Sequence, residues 1–191
     1  MTRFLASLLV AAALSIAGSA DAVSISGAGI VNDASGVNLL SFDVDVSSAS
    51  PIFGTVSLDA YDSGPITFNS VISNLTPDAF TTFEIVLTGG ATFSVVGEVT
   101  DGLGNPFPNV VSGATSALIT FAPNGAFTLG GIEVGDPLGL TGALDWAIDV
   151  TGVSGGSFGI ELRPSFVPEP ATFTLLALSA ALALRRRVLA A

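Results

Sequence analysis

The chain has 191 residues, a formal net charge of −11, sixteen Asp plus Glu against five arginines, and no lysine, histidine or cysteine. These absences exclude Ser-His-Asp, Cys-His and Ser-Lys catalysis, disulfides and the usual zinc centres. The shortage of cations argues against nucleic acid as a partner, since nothing would neutralise its phosphates. Residues 1–22, MTRFLASLLVAAALSIAGSADA, have the three parts of a secretory signal peptide. Arg3 supplies the positive start, Phe4 to Ile16 the apolar run, and Gly18 to Ala22 the small-residue end. Ala20 and Ala22 fit a cut before Val23, with a cut after Ala20 as the alternative. The apolar run is too short for a spanning anchor. The partners expected at this end are the Sec translocon and signal peptidase.

Residues 23–164 read as one all-β domain, large enough for a core of its own. Its charge is lopsided, with Arg163 the single cation, and self-repulsion of this kind favours solubility. In VNLLSFDVDV (37–46), Phe42, Val44 and Val46 alternate with Asp43 and Asp45, the period of a half-buried strand. FTTFEIVLT (80–88) and ATFSVVGEV (91–99) flank Gly89-Gly90, a hairpin signal. Phe83, Ile85 and Leu87 fall on one face of the first; Phe93, Val95 and Val99 fall on one face of the second. Asp101-Gly102 turns the chain toward 106–112. ALITF (117–121) and AFTL (126–129) flank Asn124-Gly125, a second hairpin signal. ALDWAIDV (143–150) and SFGIELR (157–163) form a third pair, with Trp146 inside and Arg163 placed to pair with Asp145 or Asp149 or to remain solvated. Glycine and proline punctuate roughly eight to eleven strands, the pattern of an antiparallel β-sandwich or jelly roll.

Oxygen-rich turns offer the only candidate chemistry in this domain. Asp59 and Asp62, and Asp101 and Asn105, place potential calcium ligands in loops, although Asp and Gly are also ordinary turn residues. The acid pairs Asp43/Asp45, Asp59/Asp62 and Asp145/Asp149 have the composition, but no distinctive spacing, for glycoside hydrolysis. The expectation is therefore a protein that is not an enzyme and needs no cofactor, with Ca²⁺ the one candidate.

The C-terminus is different. Val167-Pro168-Glu169-Pro170 precedes Ala171–Leu184, fourteen residues without a charge, and then Arg185, Arg186 and Arg187. Pro170 suits the first turn of a helix, and a residue before proline is pushed toward extended torsions. The stretch 167–170 is thus expected to be an extended strip that a peptidase can grip. An apolar run of this length is short for a bilayer of about 20 residues. Snorkelling arginines lengthen its reach, and their cluster marks the cytoplasmic side.

Together these features resemble the PEP-CTERM protein-sorting signal of Gram-negative bacteria. Val167, Pro168, Glu169 and Pro170 match its motif, 171–184 its transmembrane helix, and Arg185–Arg187 its basic tail. The resemblance covers the segment 165–191 and nothing in the β domain. It implies recognition and cleavage by an exosortase, and a membrane-held precursor facing the periplasm. It further implies delivery to the cell surface or a biofilm matrix, where extracellular polysaccharide is a candidate partner. A structural role, or a carbohydrate- or calcium-binding adhesin module, is the expectation for the domain itself; an unprocessed, C-terminally anchored membrane protein is the alternative for the whole chain.

Overall fold

The computed structural model describes residues 22–59, 62, 64–101, 103–107, 109–121 and 131–166. The expected signal peptide up to residue 21, the segment 122–130 and the sorting segment 167–191 lie outside the described residues. What is described contains strands and no helix.

Thirteen strands are described. In chain order they begin with β1 (Ser24–Gly27), β2 (Ile30–Asp33), β3 (Leu39–Val46), β4 (Ile52–Ser57) and β5 (Pro65–Asn74). There follow β6 (Phe80–Leu87), β7 (Thr92–Val95), β8 (Val99–Thr100) and β9 (Val110–Ser112). The last are β10 (Ser116–Thr120), β11 (Ile132–Val134), β12 (Trp146–Asp149) and β13 (Ser157–Phe166). One sheet has the order β1-β4-β13-β6-β10-β9; the other runs β2-β3-β5-β11-β8, with β12 also on β5 and β7 beyond it. The inward side chains of both sheets form one hydrophobic cluster.

Alternation dictates which residues enter that cluster. Phe42, Val44 and Val46 of β3 are buried while Asp43 and Asp45 are not. The same holds for Phe83, Ile85 and Leu87 of β6, and for Phe158, Ile160 and Leu162 of β13. Trp146, Ile148 and Val150 are also buried. Trp146 stands edge-on to Phe68 and Phe93, with ring centroids 6.1 and 5.5 Å away, and Phe68 stacks on Phe42 at 5.8 Å. The indole N–H donates to the Glu98 carbonyl at 3.0 Å, so its one polar atom is satisfied. Ser70, on the core face of β5, likewise donates to the Phe42 carbonyl at 2.7 Å.

Two expected hairpins are corrected by the strand order. The β6 and β7 segments flank Gly89-Gly90 but lie in different sheets, as do β12 and β13. Both connections are arches that carry the chain over the core, which is why both flanking strands have an apolar face. Gly90 (φ 94°) belongs to one arch and Gly152 to the other; a Cβ on Gly90 would collide with the Gly152 carbonyl. The third expected hairpin reaches into 126–129, outside the described residues; its first strand, β10, pairs with β6 on one side and β9 on the other. On the second strand of the first pair, Phe93 packs on the core and Val99 is buried, but Val95 is exposed. Arg163 pairs with neither Asp145 nor Asp149. It lies in the other sheet, 3.1 Å from Glu84 across the ladder and 2.7 Å from Glu161.

One pairing departs from an all-antiparallel plan. β3 and β5 run parallel, because the intervening β4 belongs to the opposite sheet and the chain returns in the same direction. The β13 strand extends to Phe166, two residues past the expected domain end at 164.

Replacing Phe68 by alanine removes a fully buried ring that touches two others. Urea unfolding is expected to show a loss of about 3–5 kcal/mol. Gly90→Ala, which adds one methyl against backbone, is expected to cost more than about 1 kcal/mol in the same assay.

Candidate functional site

Two regions deserve the name of a site: the strand that leads into 167–170, and the acidic turns. β13 delivers the first. It lies inside its sheet, between β4 on 157–162 and β6 on 160–166. Past Leu162 the β4 side is open, and Pro164 falls there, where a residue without an N–H is tolerated. A register shift separates Ser165 from Phe166. Phe166 then packs on Phe80 at 5.2 Å, and Phe80 in turn touches Phe83 and Phe121. The strand is therefore anchored up to the residue that precedes Val167. Val167, Pro168, Glu169, Pro170, Arg185, Arg186, Arg187 and Ala20 lie outside the described residues; Ala22 is exposed.

The turns show where the acids go. Asp62 accepts the Asp59 N–H at 2.9 Å and the Asn38 N–H at 3.3 Å, while Asp59 accepts the Asp62 N–H at 3.2 Å. Asp101 accepts the N–H groups of Leu103 and Asn105 at 2.9 and 3.0 Å, and the Asn105 amide at 2.8 Å. Burial opposes ionisation of Asp101, but the Asn105 amide and these N–H groups outweigh it and hold the carboxyl below its ordinary range. The two candidate pairs are thus each closed on themselves through backbone donors. Asp43 accepts from the Asn32 amide, Asp145 from the Asp136 N–H, and Asp149 from the Thr151 N–H.

The sequence reading missed the most heavily used carboxylate. Asp136 accepts the N–H groups of Leu140, Thr141 and Gly142 and the Thr141 hydroxyl, all within 3.1 Å. Glu98 closes the same loop by accepting the Leu144 N–H at 3.1 Å. Asp-Pro-Leu-Gly was the available signal, since a short acid followed by proline and glycine initiates such turns. Leu138, Leu140 and Leu144 of this loop, and Leu103 of the Asp101 turn, are left exposed. A groove of about 440 Å³ between Val96 and Ser112 contains one carboxylate, Glu98. Asn74, formally followed by a glycosylation pattern, donates its amide to the Asp78 carbonyl at 2.8 Å and is buried.

Comparison with known proteins locates the likeness in the tail. Residues 166–187 match the profile described as the PEP-CTERM protein-sorting motif. That match is 22 residues long and adjoins the end of β13. No curated protein matches the chain. Among solved structures, that of BslA, a bacterial hydrophobin, aligns over 76% of this chain and 74% of its own at 15% identity. Its TM-score of 0.20 is too low to carry an argument about fold or role.

The Asp136 loop makes a pH prediction. The Thr141 N–H, against some burial and helped by Gly142, holds its carboxyl below the ordinary 3.8. A depressed folded pKa contributes stability that is complete above the unfolded value and lost as pH falls through the lower folded one. The amide resonances of Leu140, Thr141 and Gly142 are expected to move together below pH 3.8. Asp136→Asn should abolish that shared titration in the same NMR series.

Proposed function

We propose that this chain, which carries the PEP-CTERM protein-sorting motif at residues 166–187, is an exported surface or matrix protein matured by an exosortase. In this reading the Sec translocon exports it and signal peptidase removes residues 1–22. The apolar stretch 171–184 then holds the precursor in the membrane, with Arg185–Arg187 on the cytoplasmic side. The exosortase cuts at Val167–Pro170 and releases the domain toward the cell surface or a polysaccharide matrix.

The observation that carries the reading is the position of the motif directly after a strand that stays paired with β6 to its last residue. Cleavage there removes nothing from the two ladders that hold β13. The released domain serves as a structural module, a two-sheet sandwich. Its lack of nucleophile–base pairs, and acids already engaged in turns, support a role without catalysis.

The test is the full-length precursor expressed in an exporting host with an exosortase. The wild-type chain is expected to yield a shorter released form whose intact mass places both cuts. Pro168→Ala, Glu169→Ala and Pro170→Ala combined should leave only the membrane-held precursor. Undiminished release of the shortened form by that variant would overturn the assignment.

A further inference from the structure

Two turns at one end of the domain carry leucines that nothing covers. Leu103 is 86% exposed in the Asp101 turn and Leu140 is 81% exposed in the Asp136 loop, where Leu138 is exposed as well. The two turns meet, since a Cβ on Gly104 would stand 3.7 Å from Thr141 Cγ2. They converge beside the buried Glu133 of β11. Burial, and after it the Asp136 carboxylate, pushes the Glu133 carboxyl up; the Thr100 hydroxyl opposes this and Asp101 adds to it. Each leucine is held by its own turn. Asp101 accepts the Leu103 N–H and Asp136 the Leu140 N–H, both at 2.9 Å. The carboxylates are thus engaged with backbone while the apolar side chains stand in solvent, and little loop freedom is left to lose on contact.

The tail leaves from the same end. Phe166 pairs with Phe80 in the ladder, and rings run from Phe166 through Phe80 and Phe121 to Phe107, with centroids 5.2, 6.0 and 5.0 Å apart. The Phe107 N–H donates to the Val99 carbonyl and the Asp101 N–H to the Asn105 carbonyl, so the Leu103 turn rises beside this row. Leu75, in the link from β5 to β6, is exposed there too. Only 167–170 separate Phe166 from the apolar stretch 171–184, and four residues extend at most about 14 Å. As a helix that stretch is about 21 Å long, less than a hydrocarbon core of about 30 Å, so the link is drawn toward the lipid.

We propose that Leu103 and Leu140, with Leu138 beside them, dock the membrane-held precursor on the bilayer by entering its outermost acyl region. This docking rests on the anchoring of the tail proposed above. The chemistry recognised is hydrocarbon rather than headgroup phosphate. Arg163 is the only Lys or Arg among the described residues, and it is engaged by Glu84 and Glu161 in the other sheet. The contact fixes the height and tilt of the domain, and so holds 167–170 at the membrane surface for the peptidase.

The chain has no cysteine, so one introduced thiol takes a polarity-sensitive fluorophore at a unique place. Full-length Leu103→Cys, Leu140→Cys, Ser154→Cys and Ser165→Cys chains are labelled and reconstituted into phosphatidylcholine vesicles with and without nitroxide-bearing acyl chains. Ser165 is exposed next to the tail on the other sheet, and Ser154 is exposed in the arch between β12 and β13. The nitroxide lipid is expected to quench at least twofold more at positions 103 and 140 than at 154 and 165. Equal quenching at 165 would mean that the tether alone lowers the domain, and would overturn the proposal. Unquenched labels at 103 and 140 in chains that float with the vesicles would also overturn it; if those labels are nonetheless dry, a second copy or another protein covers the leucines instead of lipid. Chains that do not float overturn the anchoring of the tail, and the docking with it. Either leucine position carries the test if the other variant does not fold.

Discussion

Backbone N–H groups held by carboxylates are the interaction on which this structure depends. A strand-rich chain that crosses repeatedly between two sheets needs many tight connections, and each connection leaves N–H groups outside the ladders. No disulfide is available to pin these connections. Asp33, Asp59, Asp62, Asp101, Asp136, Asp145 and Asp149 all accept from main-chain donors in or beside turns. Charge-assisted bonds of this type are stronger than neutral ones. Acidity here therefore has a conformational role as well as a solubilising one.

The core complements those turns. Two aromatic groups organise it, one around Trp146, Phe68, Phe42 and Phe93, the other around Phe80, Phe83, Phe107, Phe121 and Phe166. The first lies under the second sheet near the Glu98 junction, where the indole N–H and the Gly135 N–H share one carbonyl. The second gathers around the last residue of β13. The loop chemistry and the exit of the chain are thus each backed by rings packed edge-on or stacked.

The all-β class and the inward faces were legible in the sequence because alternation is a local property. Phe42/Val44/Val46, Phe83/Ile85/Leu87 and Trp146/Ile148 could be assigned without any knowledge of partners. Pairing could not. Gly89-Gly90 permits a tight reversal but does not say whether the chain turns within a sheet or passes over to the other one. An arch and a hairpin both leave one apolar face on each flanking strand, so periodicity cannot separate them. The Arg163 partners were missed for the same reason, since they follow from β13 lying beside β6 rather than β12. Glu133 was illegible because a single acid between Ile132 and Val134 reads as an ordinary outward residue. Its burial comes from neighbours distant in sequence. The tail was the reverse case: its order of proline, glutamate, apolar run and arginines is local, and the family profile falls on it.

The interior position of β13 has a mechanical consequence. Tension transmitted through the tail enters the domain along a ten-residue strand flanked by two antiparallel neighbours. Such a load meets the β6 ladder first, along 163–166, and then both ladders over 160–162, so it acts in shear inside the sheet rather than at the outermost β1 or β9. A body pulled from this end can be held under load while its fold bears the force.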